Sequence, residues 1–342
     1  MEAIILAGGF GTRLQPLTYT RAKSLLPILN TPMVSYLASM LPKKVDKVVL
    51  AVNYRKDQIE KYFKNNDFGK EIIVNDEPRP LGTGGAVKFA EKHITGPFFV
   101  LNADIICSLN LYKMITFHNK KKATTTISLW PVENVSEFGV VDMKDDGNVI
   151  SFVEKPKPED APSNLINAGA YLLEPEVLDY IETGRLVSME KEIFPQIIKD
   201  TGKFFGFEFK GYWTDVGRIQ SYIDVHKLLL KNQDLKYFEG NNCKNHGRLV
   251  YSCIGNNVSI GNNSNLESTI VFDNVNIGKN VALNNCVIGE NCKVGDYSNL
   301  KNTAVGDNEV VNEKTVLNNK IFWNQPIPEE YPKKQIGNVI GE

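Results

Sequence analysis

With 342 residues, of which 42% are hydrophobic and 23% charged, the chain is an ordinary globular sequence, long enough for two domains rather than one. A formal net charge of −1 leaves no field to hold nucleic acid or an anionic membrane, so partners must be argued from sites. Cys107, Cys243, Cys253, Cys286 and Cys292 form neither a zinc pattern nor a disulfide framework, which points to a reducing cytoplasm; the apolar run after Glu2 is too short for a secretory leader, and nothing later approaches a membrane span.

The first two thirds alternate short apolar runs with longer mixed segments, the rhythm of an α/β domain built on a doubly wound, mostly parallel sheet. "AIILA" (3–7), "KVVLAV" (47–52), "EIIVN" (71–75) and "FFVLNAD" (98–104) read as strands buried on both faces. The glycine loop that follows the first, Asn53 after the second and Asp104 after the fourth all fall at carboxyl ends, where such sheets bind ligands. "FGVVDMKDDGNVISFVEKP" (138–156) predicts a hairpin turning at Asp146-Gly147 and ending in Glu154-Lys155.

From about residue 245 aliphatics recur every seventeen residues in three registers: Ile254, Val271, Ile288, Val305; Ile260, Ile277, Val294, Val311; and Leu266, Leu283, Leu300, Leu317. Steps of six, six and five suit a triangular coil with one inward aliphatic per side and a Gly or Asn easing each corner, which gives roughly four coils of a parallel β-helix. The expected division is a catalytic domain over 1–240, a β-helix over 245–323 and a Pro-rich surface extension over 324–342.

"LAGGFGTRLQPLT" (6–18) matches neither the Walker A loop nor the dinucleotide fingerprint, yet it carries the same physics. A glycine-rich turn after a first strand lets backbone N–H groups approach phosphate oxygens, while Arg13 supplies a permanent, forked cation and Lys23 a second charge. His93, His118, His226 and His246 are dispersed and read as structural or surface residues.

The stretch "LAGGFGTRLQPLTYTRAKSLLPILNTPMV" closely resembles the signature of the sugar-1-phosphate nucleotidylyltransferases. "PLGTGGA" (80–86), "LNADII" (101–106), "FGVV" (138–141), "FVEKP" (152–156), "NAGAYLL" (167–173) and "YWTDVGRIQSY" (212–222) follow in that family's order. "EFGVV", "FVEKPK" and "SMEKEIFPQI" (188–197) most resemble its GDP-mannose pyrophosphorylase branch. The resemblance implies a Rossmann-like catalytic domain followed by a left-handed β-helix of hexapeptide-type repeats. The implied reaction joins a sugar 1-phosphate, mannose 1-phosphate by preference, to a nucleoside triphosphate, GTP by preference, with Mg²⁺ and release of pyrophosphate.

Under that resemblance Arg13 and Lys23 are the catalytic phosphate clamps, and Leu6, Gly8, Gly9, Gly11, Thr12 and Gly82 lie along the nucleotide. Asp104 and Asp215 hold Mg²⁺, Glu154 accepts sugar hydroxyls, Lys155 meets the sugar phosphate, and Gly139 and Asn167 are further sugar contacts. Glu77 either accepts from guanine N1–H and N2–H₂ or is a solvated loop acid. Ala22 stands where the family has Pro, Gly84 where Ala is common, and Arg218 where Thr or Gln is common. Glucose-1-phosphate thymidylyl or uridylyl transfer and a non-catalytic regulatory subunit remain alternatives; the charges a regulatory chain would lose are all present. A β-helix acyltransferase lacks a His general base between Ile254 and Leu317, which leaves the coil as an oligomerisation and stabilising module of a cytoplasmic homo-oligomer.

Overall fold

The computed structural model describes residues 1–329 and 331, and the chain divides into two compact units: Met1–Gly9 with Val34–Thr214, and Phe10–Met33 with the chain from Asp215 onward. The first unit is a nine-stranded sheet. Its strands are β1 (Glu2–Leu6), β2 (Lys47–Val52), β3 (Glu71–Asp76), β4 (Phe98–Asn102), β5 (Thr125–Pro131), β6 (Gly139–Met143), β7 (Val149–Glu154), β8 (Leu165–Leu173) and β9 (Phe204–Glu208).

The sheet order is β7-β6-β8-β4-β1-β2-β3, with β5 on β8 and β9 on β5. β4, β1, β2 and β3 are parallel, as the apolar runs predict, and Ile4, Ile5, Phe98 and Phe99 are fully buried, as coverage of both faces requires. Beyond β4 the pairing turns antiparallel through β8, so the sheet is mixed; β5 and β9 form the other parallel pair. Of the antiparallel pairs, β6–β7 is a hairpin. At the β6–β7 turn Gly147 takes φ 86° and Asp146 Oδ1 accepts the Asn148 N–H at 3.0 Å. Phe194 anchors the helix Phe194–Thr201 to the sheet, its ring centroid 5.0–5.5 Å from those of Phe152, Tyr171 and Phe204.

The second unit carries the repeat as three stacked parallel sheets of six, five and five strands, the architecture of a left-handed parallel β-helix. The three registers pair as spaced: Ile254 with Val271 and on to Val305, Ile260 through Val311, and Leu266 through Leu317. The coil starts earlier than the periodicity indicates, at Tyr237–Glu239. In the first coil Glu239 pairs with Ile254 and Asn245 with Ile260, so two of its sides are phased at fifteen residues and the repeat is hidden there. Corner roles also divide. Left-handed φ is supplied by Asn, as at Asn257, Asn274, Asn291 and Asn308, while Gly261 is small because a Cβ there would lie 2.7 Å from the Gly278 backbone of the next coil.

Residues 10–33 belong with the coil. Tyr19 packs against Trp323 and Tyr331, with centroids 5.1 and 5.0 Å away, and Gln15 Nε2 donates to the Tyr331 hydroxyl at 3.0 Å. On the helix Ile219–Asn232, Tyr222 donates its hydroxyl to the Pro27 carbonyl. Of the extension expected over 324–342, only 324–329 and 331 are described; Asn324 N–H donates to Glu309 Oε1 at 2.8 Å, and the rest lies outside the described residues.

Candidate active site

In the first unit β1 ends at Leu6, and the chain is held to β2 by Ala7 N–H donating to the Ala51 carbonyl at 2.8 Å. A Cβ on Gly8 would lie 3.5 Å from Asn53 and 3.7 Å from Glu77 Oε1, so strand ends β1, β2 and β3 bring Gly8, Asn53 and Glu77 together. Around Gly9 no described atom lies within 4 Å of that position. Glu77 is 7% exposed, which removes the reading of a solvated loop acid. Its Oε2 accepts the Leu81 N–H at 3.2 Å, and burial pushes its carboxyl above the usual range, with Asp76 adding to the shift and the Leu81 bond opposing it.

Gly82 has φ 74°, and a Cβ on it would sit 2.5 Å from the Val187 carbonyl oxygen. Its need for glycine therefore comes from the neighbouring chain. Gly84 is explained in the same way: its N–H donates to Val187 O at 2.9 Å, and a methyl group would press within 3.0 Å of Val187 Cγ1. Asp104 follows β4 directly, half-buried, beside an Asn102 whose Oδ1 is buried with no hydrogen-bond partner among the described residues.

Across the β6–β7 pair Gly139 faces Glu154, and a Cβ on Gly139 would lie 2.9 Å from Glu154 Oε2. Burial raises the Glu154 carboxyl, and the Glu190 charge raises it further against Lys155 and Lys191. Lys155 is exposed and holds φ 50°, an uncommon left-handed conformation for a lysine, and its Nζ lies 3.8 Å from Glu154 Oε1. Asn167 opens an irregularity in β8: its Oδ1 accepts the Gly169 N–H at 2.9 Å, and its Nδ2 donates to the Tyr171 hydroxyl at 2.8 Å.

From Tyr171 the network reaches a residue that sequence reasoning did not single out. Glu190 Oε2 accepts from Thr83 Oγ1 at 2.7 Å and Ser188 Oγ at 2.8 Å, and its Oε1 accepts from the buried Tyr171 hydroxyl at 3.4 Å. Glu190 lies on a π-helical turn, Met189–Ile193, of the kind that recurs at functional sites. The only sequence signal was the string 188–197, read as resemblance alone.

In the second unit lie Gly11, Thr12, Arg13, Lys23 and Asp215. Gly11 takes φ 65° ahead of the turn Thr12–Leu14, its carbonyl accepts the Thr18 hydroxyl at 2.9 Å, and Leu14 and Leu17 are fully buried, so Arg13 projects exposed from an anchored turn. Arg13 Nη2 and Asp215 Oδ2 meet over Gly217, 3.1 and 2.9 Å from where its Cβ would be.

The four histidines are structural or peripheral: His118 is buried between Thr126 and Glu174, and burial pushes His226 down to about 4. All five cysteines are free, and burial pushes Cys253 and Cys292 up to about 12. Among the described residues no helix is long and apolar enough to cross a membrane.

A protein named probable mannose-1-phosphate guanylyltransferase 2 from Arabidopsis thaliana is 44% identical over 241 residues, covering 67% of this chain and 65% of that protein. The Xenopus tropicalis protein named mannose-1-phosphate guanylyltransferase catalytic subunit beta is 38% identical over 246 residues, covering 70% and 67%. The chain thus spans about two thirds of the length of the curated relatives it matches. The crystal structure of HddC from Yersinia pseudotuberculosis complexed with GMP-PN is similar with a TM-score of 0.55 at 30% identity, over 65% of this chain and 96% of that one. A family model for the GMPPB C-terminal domain matches residues 249–336, and since the model for nucleotidyl transferases matches residues 2–232, the chain belongs to the nucleotidyl transferase family.

Proposed function

We propose that the chain is a mannose-1-phosphate guanylyltransferase. A phosphate oxygen of mannose 1-phosphate bonds to the α-phosphorus of GTP as the bond from that phosphorus to the β-phosphate bridging oxygen breaks, giving GDP-mannose and pyrophosphate. The observation that carries the base preference is Glu77, buried beside Gly8 with Oε1 turned towards the glycine loop. A carboxylate there pairs with the two adjacent donors of guanine, which uracil and thymine lack. The curated relatives' names and the GMP-PN bound to HddC point the same way.

No protein nucleophile is needed, because the sugar phosphate is itself the attacking group. Alignment of two polyanions and neutralisation of charge at the α-phosphate are the tasks, and cations meet them. Arg13 and Lys23 bind the triphosphate, with backbone from Leu6 to Thr12, and Gly82 lies along the nucleoside. Glu154 takes the sugar hydroxyls, with Gly139 leaving room and Asn167 adding a contact, and Lys155 meets the sugar phosphate. Asp104 and Asp215 would hold Mg²⁺, whose preference for hard oxygen suits carboxylates and the Asn102 Oδ1 that has no partner among the described residues, and which would supply charge neutralisation on the triphosphate. The protein acts in the cytoplasm as a homo-oligomer.

The test is pyrophosphate release with Mg²⁺, crossing GTP, dTTP, UTP and ATP against mannose and glucose 1-phosphates. Turnover confined to GTP with mannose 1-phosphate supports the proposal. Turnover with dTTP or UTP and glucose 1-phosphate keeps the reaction class and overturns the base and sugar assignment.

A further inference from the structure

The segment that carries Arg13 and Lys23 is fastened to the β-helix by a charged socket two residues before Lys23. Arg21 Nη2 lies 2.5 Å from Glu290 Oε2 and 3.7 Å from Asp307 Oδ2, and its guanidinium stands 4.9 Å from the centroid of the Phe272 ring. Thr20 Oγ1 donates to the same Asp307 Oδ2 at 2.6 Å. The side chains of Arg21 and Asp307 are 18% and 7% exposed and that of Glu290 35%, so the Asp307 side of the socket is shielded in a way a surface pair is not.

The coil has a repeating corner device against which this socket stands out. Asp273 Oδ1 accepts the N–H of Asn256 and Asp296 Oδ1 that of Lys279, each seventeen residues back, and Asp307 Oδ1 accepts the Glu290 N–H at 2.7 Å in the same manner. At Asp273 the second oxygen is spent within the coil, on Asn256 Nδ2 at 3.1 Å. At Asp307 it is turned to Thr20 and Arg21, and the partner position holds an acid, Glu290, that also reaches Arg21. The corner at Asp273 is made without such an outside contact. The arrangement at Asp307 also bears on Ala22, which takes φ −59°, the value a proline ring would enforce, without that ring.

We propose that Glu290 and Asp307 are positioning residues for the nucleotide site: by fixing Arg21 and Thr20 they hold Lys23 and Arg13 in register for the triphosphate. The β-helix is then a mount for the cationic loop as well as a stabilising module. The inference rests on the reading of Arg13 and Lys23 as triphosphate clamps, and its test separates the two.

Initial rates and melting temperatures would be measured on the full chain for Glu290→Gln, Asp307→Asn, Arg21→Ala and the Arg21→Ala/Glu290→Gln double variant, with Arg13→Ala alongside. Displacing a reacting group by about 1 Å costs up to a hundredfold, so kcat with GTP should fall about tenfold or more in each variant at Glu290, Asp307 or Arg21. KM for mannose 1-phosphate should hold, melting should stay within roughly 2 °C for the Gln and Asn variants, and the double variant should be no worse than its worse parent. Glu290→Asp, which keeps the charge, should recover part of the lost rate. Wild-type kcat in Glu290→Gln and Asp307→Asn, additive losses in the double variant, or losses that follow melting temperature overturn the proposal. An Arg13→Ala protein as active as wild type would overturn the clamp reading beneath it, whereas an inactive Arg13→Ala beside normal Glu290→Gln and Asp307→Asn would remove the positioning role alone.

Discussion

Arg13 and Asp215, about two hundred residues apart in the chain, converge on Gly217: Nη2 of the one and Oδ2 of the other lie 3.1 and 2.9 Å from the point a Cβ on residue 217 would occupy. Both are ends of side chains that can move aside. Gly217→Ala should therefore fold normally while displacing both charged groups, with kcat/KM for GTP reduced about tenfold, as expected for a small misplacement. Initial rates beside a thermal melt check this; a loss of stability without a loss of rate contradicts it.

Two glycines of the nucleotide side differ in what excludes a side chain. Gly82 needs its positive φ and would strike the Val187 carbonyl, whereas no described atom stands within 4 Å of a Cβ on Gly9. Gly82→Ala should cost on the order of 2 kcal/mol of stability. Gly9→Ala should melt within about 0.5 kcal/mol of wild type yet raise KM for GTP, because no described residue beyond its chain neighbours contests the space a ligand would take. Denaturant titration with GTP kinetics separates the two effects.

Lys155 combines a charge with a strained backbone at φ 50°. Lys155→Ala should raise KM for mannose 1-phosphate far more than KM for GTP. Lys155→Gly, which relieves about 1 kcal/mol of strain, should be as impaired while melting higher than the alanine variant. Equal effects on both substrates would refute the assignment.

Glu77→Gln keeps an acceptor for the Leu81 N–H and removes the charge. Preference for GTP over dTTP and UTP, read as a ratio of kcat/KM, should fall at least tenfold, since a lost charged acceptor leaves guanine donors underpaired. An unchanged ratio takes Glu77 out of base selection.

His226 is buried, and desolvation pushes it down to about 4 although the Tyr222 and Pro27 carbonyls favour its charged form. The unfolded chain, with histidine near 6.5, therefore binds more protons than the folded one between about pH 4 and 6.5, so this contribution is present above 6.5 and is lost as pH falls through that window. The loss is on the order of 3 kcal/mol by pH 4. Glu77 and Glu154, both raised, act in the opposite sense. Melting temperature should drop on acidification across that range, and the drop should shrink in His226→Gln.

Sequence by itself determined the parallel strands at 2–6, 47–52, 71–76 and 98–102, the hairpin turn at Asp146-Gly147 and the seventeen-residue coil, because each is written locally, as an unbroken apolar run, an Asp-Gly turn or a repeat of inward aliphatics. It also placed Gly8 and Asp104 at strand ends as candidates, while Glu154 was proposed from the family resemblance. Burial of Glu77, the grip of Val187 on Gly82 and the Glu190 network were decided only by tertiary structure. So were the shortened first coil and the attachment of 10–33 to the β-helix through Arg21, Glu290 and Asp307. Each joins residues far apart in the chain through single contacts of ordinary polar groups, which leave no periodicity in the sequence to read.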